Sequence, residues 1–569
     1  MSAAAHDSVS LKIGVTAHRD LSNADEASIE RQVRELFTSL QNNNPDLPLS
    51  LLNPLAPGGD MLVARIALEM GIPLEIPLPM PLDIYERDYH TPELLEEFRT
   101  LCKKGTVFEL PLAAGSTLDN IKDEGAHRNL QYAHMGSYIT THSHILLALW
   151  DGQKSEAVGG TASLVHFQLT GELIGLSEER RAEHLLADKE SDIVYHIHCP
   201  REPNTPTAEH GQWLSRSTSF KGVSLPEHYR ATFSYMEEFR RDISRHRQAM
   251  QASRDSLITD PQMKEDADLE MIDEIFSCAD WLAIYYRKLV FRELALTHSL
   301  AVLMGLSFIL YSEYMQYYFL LPAFLLFFFG AWLLNKVANK LQWHRKYLDN
   351  RALAEGLRVQ FYWTLADIDS TQSTAIAYDN FMQKQDLELA WIRHVIRGVN
   401  RTGQSTGKKV KAGLELAIQH WIGEVQGDTG QLGYYRVASK EREKKLRRNT
   451  LYGQVTLWCG ISIAVLLLFV GSSLNELPMN ILLIFMGILP LMAGVREAYA
   501  YKKADKELTK QYQFMHNTFT RAQQKLQCAT SKHTRKLVLR ALGEACLEEH
   551  SEWILLHRER PLEHSGLQV

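Results

Sequence analysis

LALTHSLAVLMGLSFILY at residues 294–311 and YYFLLPAFLLFFFGAWLL at 317–334 set the organisation of this chain. A polar break, SEYMQ at 312–316, separates the two arms, and neither arm contains Lys, Arg, Asp or Glu. At about 1.5 Å per helical residue, 18 residues just cross a hydrocarbon core about 30 Å thick. The break is too short for a folded domain, so the pair predicts a transmembrane hairpin (294–334) with both outer ends on one side. A helical hairpin buried in a soluble core is the alternative. It is disfavoured because both arms are apolar all round and lack the polar face of a globular surface helix.

Working outward, a second apolar pair follows at 451–471 and 479–495, broken at 472–478. Arg287, Lys288 and Arg292 precede the first hairpin, and Lys336 and Lys340 follow it. Lys444, Lys445, Arg447 and Arg448 precede the second, and Arg496, Lys502 and Lys503 follow it. Neither tip carries Lys or Arg, so the positive-inside rule points both tips outward and leaves everything else, both termini included, in the cytoplasm. This predicts a multi-pass protein of the inner (plasma) membrane. The uncharged arms argue against an ion-coupled transporter, which places ionisable residues inside its spans. Gly305, Gly330, Gly460 and Gly487 permit close helix contact, and Pro322 and Pro490 are candidate kinks in the second arms. Such spans suit passive anchoring or a pore assembled from several copies of the chain.

The 569 residues leave room for three or four units of ordinary domain size. The net charge of −7 argues against a nucleic-acid binder. Six scattered cysteines without CxxC spacing suggest reduced thiols rather than disulfides or a zinc site. MSAAAHDSVS has neither the basic nor the apolar region of a signal peptide, so the N-terminal part is expected to remain cytoplasmic.

Residues 1–200 alternate apolar runs (11–15, 49–52, 74–77, 106–110, 144–150, 192–198) with amphipathic helical stretches. That alternation predicts an α/β, Rossmann-like, doubly wound parallel sheet, which binds ligands outside the carboxyl ends of its strands. Three such ends carry informative residues. The first run passes through Gly14, Thr16, His18 and Arg19; the second leads to Gly58, Gly59 and Asp60; the fifth leads to Asp151 and Gly152, then to Gly159, Gly160 and Thr161. Glycines let a backbone approach a phosphate, and helix N-termini offer free amides to an anion. Arg19 and Arg128, the latter followed by Asn129, add charge-assisted contacts. Together these predict a site for a nucleotide-like ligand, with Asp60 and Asp151 as ribose or base partners. Histidines also cluster, at 18, 127, 134, 142, 144, 196 and 198, but no acidic or Cys partner at ligand spacing accompanies them, so no metal is expected.

The motifs at 14–19, PGGDMLVARIALEMGIPLEIPLP at 57–79, Tyr85, Asp88 and HRNLQYAHMGSYITTHSHILLALWDG ending in GGT resemble the SLOG superfamily. This group comprises Rossmann-like nucleotide-binding domains related to cytokinin-activating phosphoribohydrolases. The resemblance covers nearly all of the first 200 residues, and implies either a hydrolase or a sensor of nucleotide-derived signals. The hydrolases carry GGxGTxxE, whose Glu works with an upstream Arg matched here by Arg128. In this chain the Glu position is Leu164, which cannot transfer a proton or stabilise a cationic transition state. Glu124, Asp60 and Asp151 are the carboxylates that could reach the same rim. No catalytic residue is assigned, and sensing leads.

Residues 201–293 read as a Pro/Ser/Thr/Gly-rich linker to 225 followed by a helical connector running directly into the first span. Residues 335–450 read as a cytoplasmic helical region, 451–495 as the second hairpin, and 496–569 as C-terminal cytoplasmic helices. Each hairpin has a basic helical approach and a long helix after it, an arrangement compatible with internal duplication. HRKYLDNRALAEGLRVQFYW (344–363), HWI (420–422), QLGYYR (431–436) and LGEACLEEHSEWILLHRERP (542–561) resemble SLATT-type modules. Those are bacterial transmembrane domains found beside SLOG or nucleotide-generating domains and associated with pore formation in antiviral defence. Trp363, Trp421 and Trp553 within them are also what ordinary bundle cores require. The two resemblances imply an oligomeric membrane effector gated by a nucleotide second messenger, such as a cyclic nucleotide or an ADP-ribose derivative. The alternatives are a membrane-anchored nucleotide hydrolase and a constitutive channel with a structural SLOG domain.

Overall fold

The computed structural model describes residues 9–21, 26–113, 115–155, 158–172, 192–200, 210–368, 389–399, 410, 412–424, 427 and 429–558. The chain divides into two compact units, one of residues 1–278 and 353–414 and the other of 279–352 and 415–569. Segment 353–414, part of the helical region expected at 335–450, therefore belongs with the N-terminal sheet. The last residues of the stretch quoted at 542–561, residues 559–561, lie outside the described residues.

The first unit is built on strands β1 (Leu11–Ala17), β2 (Leu49–Leu52), β3 (Leu74–Leu78), β4 (Thr106–Glu109), β5 (Ile145–Trp150), β6 (Ile193–His198), β7 (Gln212–Leu214) and β8 (Ser219–Lys221). They form one sheet in the order β4-β3-β2-β1-β5-β6-β7-β8. β1 to β6 are parallel, as their near-continuous apolar runs predict. β7 and β8 are antiparallel, so the sheet is mixed rather than wholly parallel. Both lie in the stretch expected to be linker. Three-residue strands amid turn-forming residues give no periodic signal; what fixes them is Trp213, fully buried against the Tyr195 ring at 4.8 Å.

Helices α1 (Glu26–Asn43), α2 (Gly59–Glu69), α3 (Pro92–Lys104), α4 (Ala126–His142) and α5 (Thr161–Thr170) connect the strands. Helix α6 (Glu227–Ser253) follows β8, and α7 (Ala267–Glu313) begins in this unit. The strand order reverses between β1 and β5, the switch point at which such sheets bind ligands. After α8 (Leu320–Lys340) and α9 (Trp343–Leu365), helix α10 (Ala390–Val399) returns to the sheet unit. There Trp391 packs on Phe239 of α6, and the fully buried Arg397 bonds the buried Asp192 at 2.8 Å.

The second unit is helical. The first apolar arm is the end of α7, a single 47-residue helix, as the uninterrupted connector predicts. The second arm is α8. The third arm ends α11 (Gly430–Val470), which also carries the basic run at 444–448. The fourth is α12 (Glu476–Lys502), followed by α13 (Asp505–Cys528) and α14 (Lys532–Arg558). These four helices are long and apolar enough to cross a membrane, and at most 11% of each apolar window is buried within the chain. Phe308, Leu326, Leu468 and Phe469 stand more than half exposed. The alternative of arms hidden in a soluble core does not describe this structure.

Small residues mark where these helices meet. A Cβ on Gly305 of α7 would collide with Leu491 of α12, and one on Gly460 of α11 would come 2.9 Å from the Pro490 ring. Gly487 faces Ile309, whereas Gly330 has only ordinary clearance from Leu300. Pro490 lies inside α12, but Pro322 falls in the first turn of α8, where no intrahelical donor is needed. The two hairpins end alike. Each second arm stops at a non-glycine residue with positive φ, Gln342 (51°) and Ala504 (52°), before another helix begins. Trp421 and Trp553 are buried in this unit and Trp363 in the sheet unit, all in packing roles.

Candidate functional site

At the carboxyl edge of the sheet, β1 extends through Thr16 and Ala17, so His18 is the first residue beyond it. The His18 backbone N–H donates to Leu149 at 3.1 Å, and its carbonyl accepts from Gly59 at 3.1 Å, joining the ends of β1 and β5 to the start of α2. The His18 ring accepts the Asp151 N–H through Nε2 at 3.0 Å. A ring nitrogen that accepts an amide proton is not itself protonated, so the 3.5 Å approach of Asp151 Oδ1 to the same atom is no ion pair. Asp151 Oδ1 instead accepts from the Gln153 amide at 3.0 Å, shaping the turn after β5.

The loop after β2 is held from several sides. Asn53 donates from Nδ2 to the Asp60 carbonyl (2.8 Å) and accepts from the Leu55 amide (2.8 Å). Tyr85 and Tyr89 donate their hydroxyls to the Pro54 and Leu55 carbonyls at 3.2 and 2.7 Å. Leu55 has φ of 60°, a conformation that non-glycine residues avoid and that persists where surroundings fix it. Gly58 has φ of 91°, and a Cβ there would strike the Arg19 carbonyl; a Cβ on Gly59 would lie 2.5 Å from that of Ala17. Only glycines allow this approach between the first two strand ends.

Asp60 sits in the first turn of α2 and is buried. Its Oδ1 meets no hydrogen-bond donor. Burial pushes the carboxyl up to about 8, against Arg19 and the amides of Ala56 and Ala17, which favour the charged form. Arg19 itself is 56% exposed; its guanidinium lies over the Tyr132 ring at 5.3 Å and 3.5 Å from Asp88 Oδ2.

Arg128 is placed differently. It is buried, and its guanidinium donates to Asp88 Oδ1 (2.6 Å), to the Ile121 carbonyl (2.7 Å) and to the Tyr132 hydroxyl (3.2 Å). Tyr132 donates to the other Asp88 oxygen. Asp88 is thus the hub that joins Arg128, Tyr132 and Arg19, and Arg128 serves as scaffold beneath the rim. No periodicity announces this hub; the sequence around it reads YERDY at 85–89, with two acids between the tyrosines and nothing to single out Asp88.

The remaining residues divide. Gly159 has φ of 74°, and a Cβ there would lie 2.7 Å from the Ala133 nitrogen, so it sets how α5 approaches α4; the Gly160 carbonyl accepts from Leu164 and Thr161 opens α5. Gly14 lies inside β1 rather than at its end, and a Cβ there would come 2.7 and 2.8 Å from the Ser143 and Ile139 side chains, so its role is close packing. Thr16 is buried in β1 opposite Ala148. Asn129 is exposed on α4, and Gly152 is open, with φ of 82°. Leu164 is buried with Ala133 and Phe167 and fills the space left by Gly136, which makes it a core position. His144 is also interior. It accepts the Lys12 amide at Nδ1 and donates from Nε2 to the His394 carbonyl, both at 2.9 Å, and burial lowers it to about 3. Among the described residues no group of three or more His, Cys, Asp or Glu is placed to hold a metal.

No protein-family model matches the chain, and no curated protein or solved structure matches it.

Proposed function

We propose that the chain is a membrane effector. The sheet unit binds a nucleotide-derived second messenger, of the cyclic-nucleotide or ADP-ribose class, at the ends of β1, β2 and β5. The apolar helices span the inner membrane and form, in a homo-oligomer, a pore or lesion that serves antiphage defence. The carrying observation is Asp60, a buried carboxyl at a helix start with one oxygen unpaired, beside the exposed Arg19. Burying a carboxyl oxygen without a donor is costly. A ribose hydroxyl supplies such a donor, while Arg19 and the amides opening α2 suit the phosphate. The four exposed apolar helices, basic at their outer ends, support the membrane assignment. Gating requires the messenger to favour the open or assembled state, since equal affinity for both states shifts nothing.

The test uses the full chain in liposomes loaded with a dye. A panel of cyclic nucleotides and ADP-ribose derivatives is added, and leakage and oligomer size are followed. Ligand-dependent leakage that disappears in Arg19→Ala, with insertion intact, is the expected result; leakage unaffected by Arg19→Ala removes the site. One observation favours hydrolysis as a second reading. The raised Asp60 carboxyl retains a proton near neutral pH, as a general acid must. Turnover of any panel member, lost in Asp60→Asn, would select it.

A further inference from the structure

All ten residues of α10 (Ala390–Val399) are buried, although this helix is basic and amphipathic. Trp391, Ile392, Val395, Ile396 and Val399 recur at the spacing of one helical face, while Arg393, His394 and Arg397 fall on the other. A helix of this pattern ordinarily keeps its charged face in water. Here that face is turned onto the amino edge of the sheet, at the opposite end of the strands from the candidate ligand site. Arg397 donates to Asp192, the residue before β6, at 2.8 Å, and the Arg393 guanidinium stands 4.0 Å from the same carboxylate. The His394 carbonyl accepts from His144, the residue before β5, at 2.9 Å. On the apolar side Trp391 meets Phe239 of α6, with ring centres 5.6 Å apart. This seat leaves two polar atoms stranded. Trp391 Nε1 and His394 Nδ1 are buried and meet no hydrogen-bond partner among the described residues. Each such atom opposes docking, as does taking guanidiniums out of water.

We infer that α10 is a sequestered membrane-surface helix, stored against the sheet when docked and bound to an anionic lipid surface when released. Such a surface satisfies each of these groups. Arg393 and Arg397 meet lipid phosphates, Trp391 sets its ring among acyl chains with its N–H at headgroup level, and the aliphatic side chains bury in the boundary. Chain order brings that surface within reach, because α10 lies between the second and third apolar arms at 317–334 and 451–471. This last step rests on the membrane reading proposed above; the strained seat on the sheet does not.

The experiment uses the full-length protein carrying Gly398→Cys. A Cβ at Gly398 meets the His144 ring at 3.5 Å, an ordinary contact, so the seat accepts the change. While docked the new thiol is buried, and a water-soluble maleimide reaches it only when α10 leaves the sheet. Four residues on from His394, it stays on the polar face and accessible when the helix lies on lipid. Labelling is followed peptide by peptide in nanodiscs of phosphatidylcholine, with and without phosphatidylglycerol. An anionic surface draws out the released state by mass action, so the rate at position 398 should rise about 10-fold with phosphatidylglycerol. Arg393→Gln should cut that rise to about 2-fold. Asp192→Asn weakens the seat and should raise the rate in both lipids. The buried Cys199 of the same unit should not respond. In the unsubstituted chain, which needs no variant to fold, photoactivatable phosphatidylglycerol should crosslink to residues 390–399 more than photoactivatable phosphatidylcholine does. A rate indifferent to phosphatidylglycerol, an equal rise at Cys199, or equal crosslinking by the two lipids would overturn the inference. Failure to enter nanodiscs would count against the spans alone, and vesicles of the same two compositions added to the soluble protein would then test α10 by the same readings.

Discussion

Two residues at the sheet edge, Asp60 and Arg128, carry opposite lessons. For Asp60, burial raises the folded carboxyl to about 8, while the unfolded chain titrates near the ordinary aspartate value of 3.8. Between those limits the folded state keeps a proton that the unfolded state has lost. Stability contributed by this group is therefore full below the lower value and declines as pH rises toward the upper one. Amide exchange in β1, β2 and α2 should accordingly indicate lower stability at pH 8.5 than at pH 5.5, after correction for the intrinsic exchange rate. Asp60→Asn, which cannot ionise, should flatten that difference. Arg128, expected to add a charge-assisted contact to the ligand, donates within the chain to Asp88, Ile121 and Tyr132. Arg128→Ala leaves Asp88 without its closest cation and should cost about 3–5 kcal/mol of local stability. Arg19→Ala, at a half-exposed side chain, should cost under about 1 kcal/mol. Comparable exchange losses in the two variants would refute that division. The sequence revealed which glycines and charges sit near the rim. It did not reveal that Asp88 would claim Arg128, because such pairings depend on tertiary proximity across 40 residues of chain.

At the scale of elements, strands with long apolar runs were legible and short ones were not. β1 to β6 follow from hydropathy alternating with helical periodicity. β7 and β8 exist because Trp213 and Gly211 fit against Tyr195, a contact that leaves no local pattern. The apolar helices were equally plain, and their contacts can be ranked. The Gly460 neighbour is the rigid Pro490 ring, the Gly305 neighbour is the mobile end of Leu491, and Gly330 has room, at 3.7 Å. An added methyl must therefore push α11 from α12 at Gly460, while at Gly305 a leucine rotamer can absorb it. Gly460→Ala should destabilise the detergent-solubilised helical unit by about 1–3 kcal/mol, Gly305→Ala by less, and Gly330→Ala by under about 0.5 kcal/mol. A thermal series in which Gly330→Ala is the most damaging would contradict this packing.

For the molecule as a whole, charge and hydropathy predict an orientation that a labelling experiment can test. The four apolar helices have basic residues at their outer ends and none at their tips, although the chain as a whole carries −7. Local distribution, not net charge, therefore determines the expected topology. Helix α8, with 21 residues, reaches about 31 Å and so matches the hydrocarbon core with little excess. Its N-terminal end and the preceding tip, including the exposed Gln316, are expected outside the inner membrane. The exposed Cys528, at the end of α13, is expected inside. Replacing Cys459 and Cys546 by serine leaves Cys528 as the most accessible native thiol, since Cys199 and Cys278 are buried and Cys102 is partly covered. In that background Gln316→Cys should react with a membrane-impermeant maleimide in spheroplasts, whereas Cys528 should react only after lysis. The reverse pattern would invert the protein and place the sheet unit, with Arg19 and Asp60, beyond the reach of a cytoplasmic messenger. Labelling of both sites before lysis would mean that the helices do not form a sealed span. The topology measurement thus bears on the sensing proposal as directly as a ligand assay does.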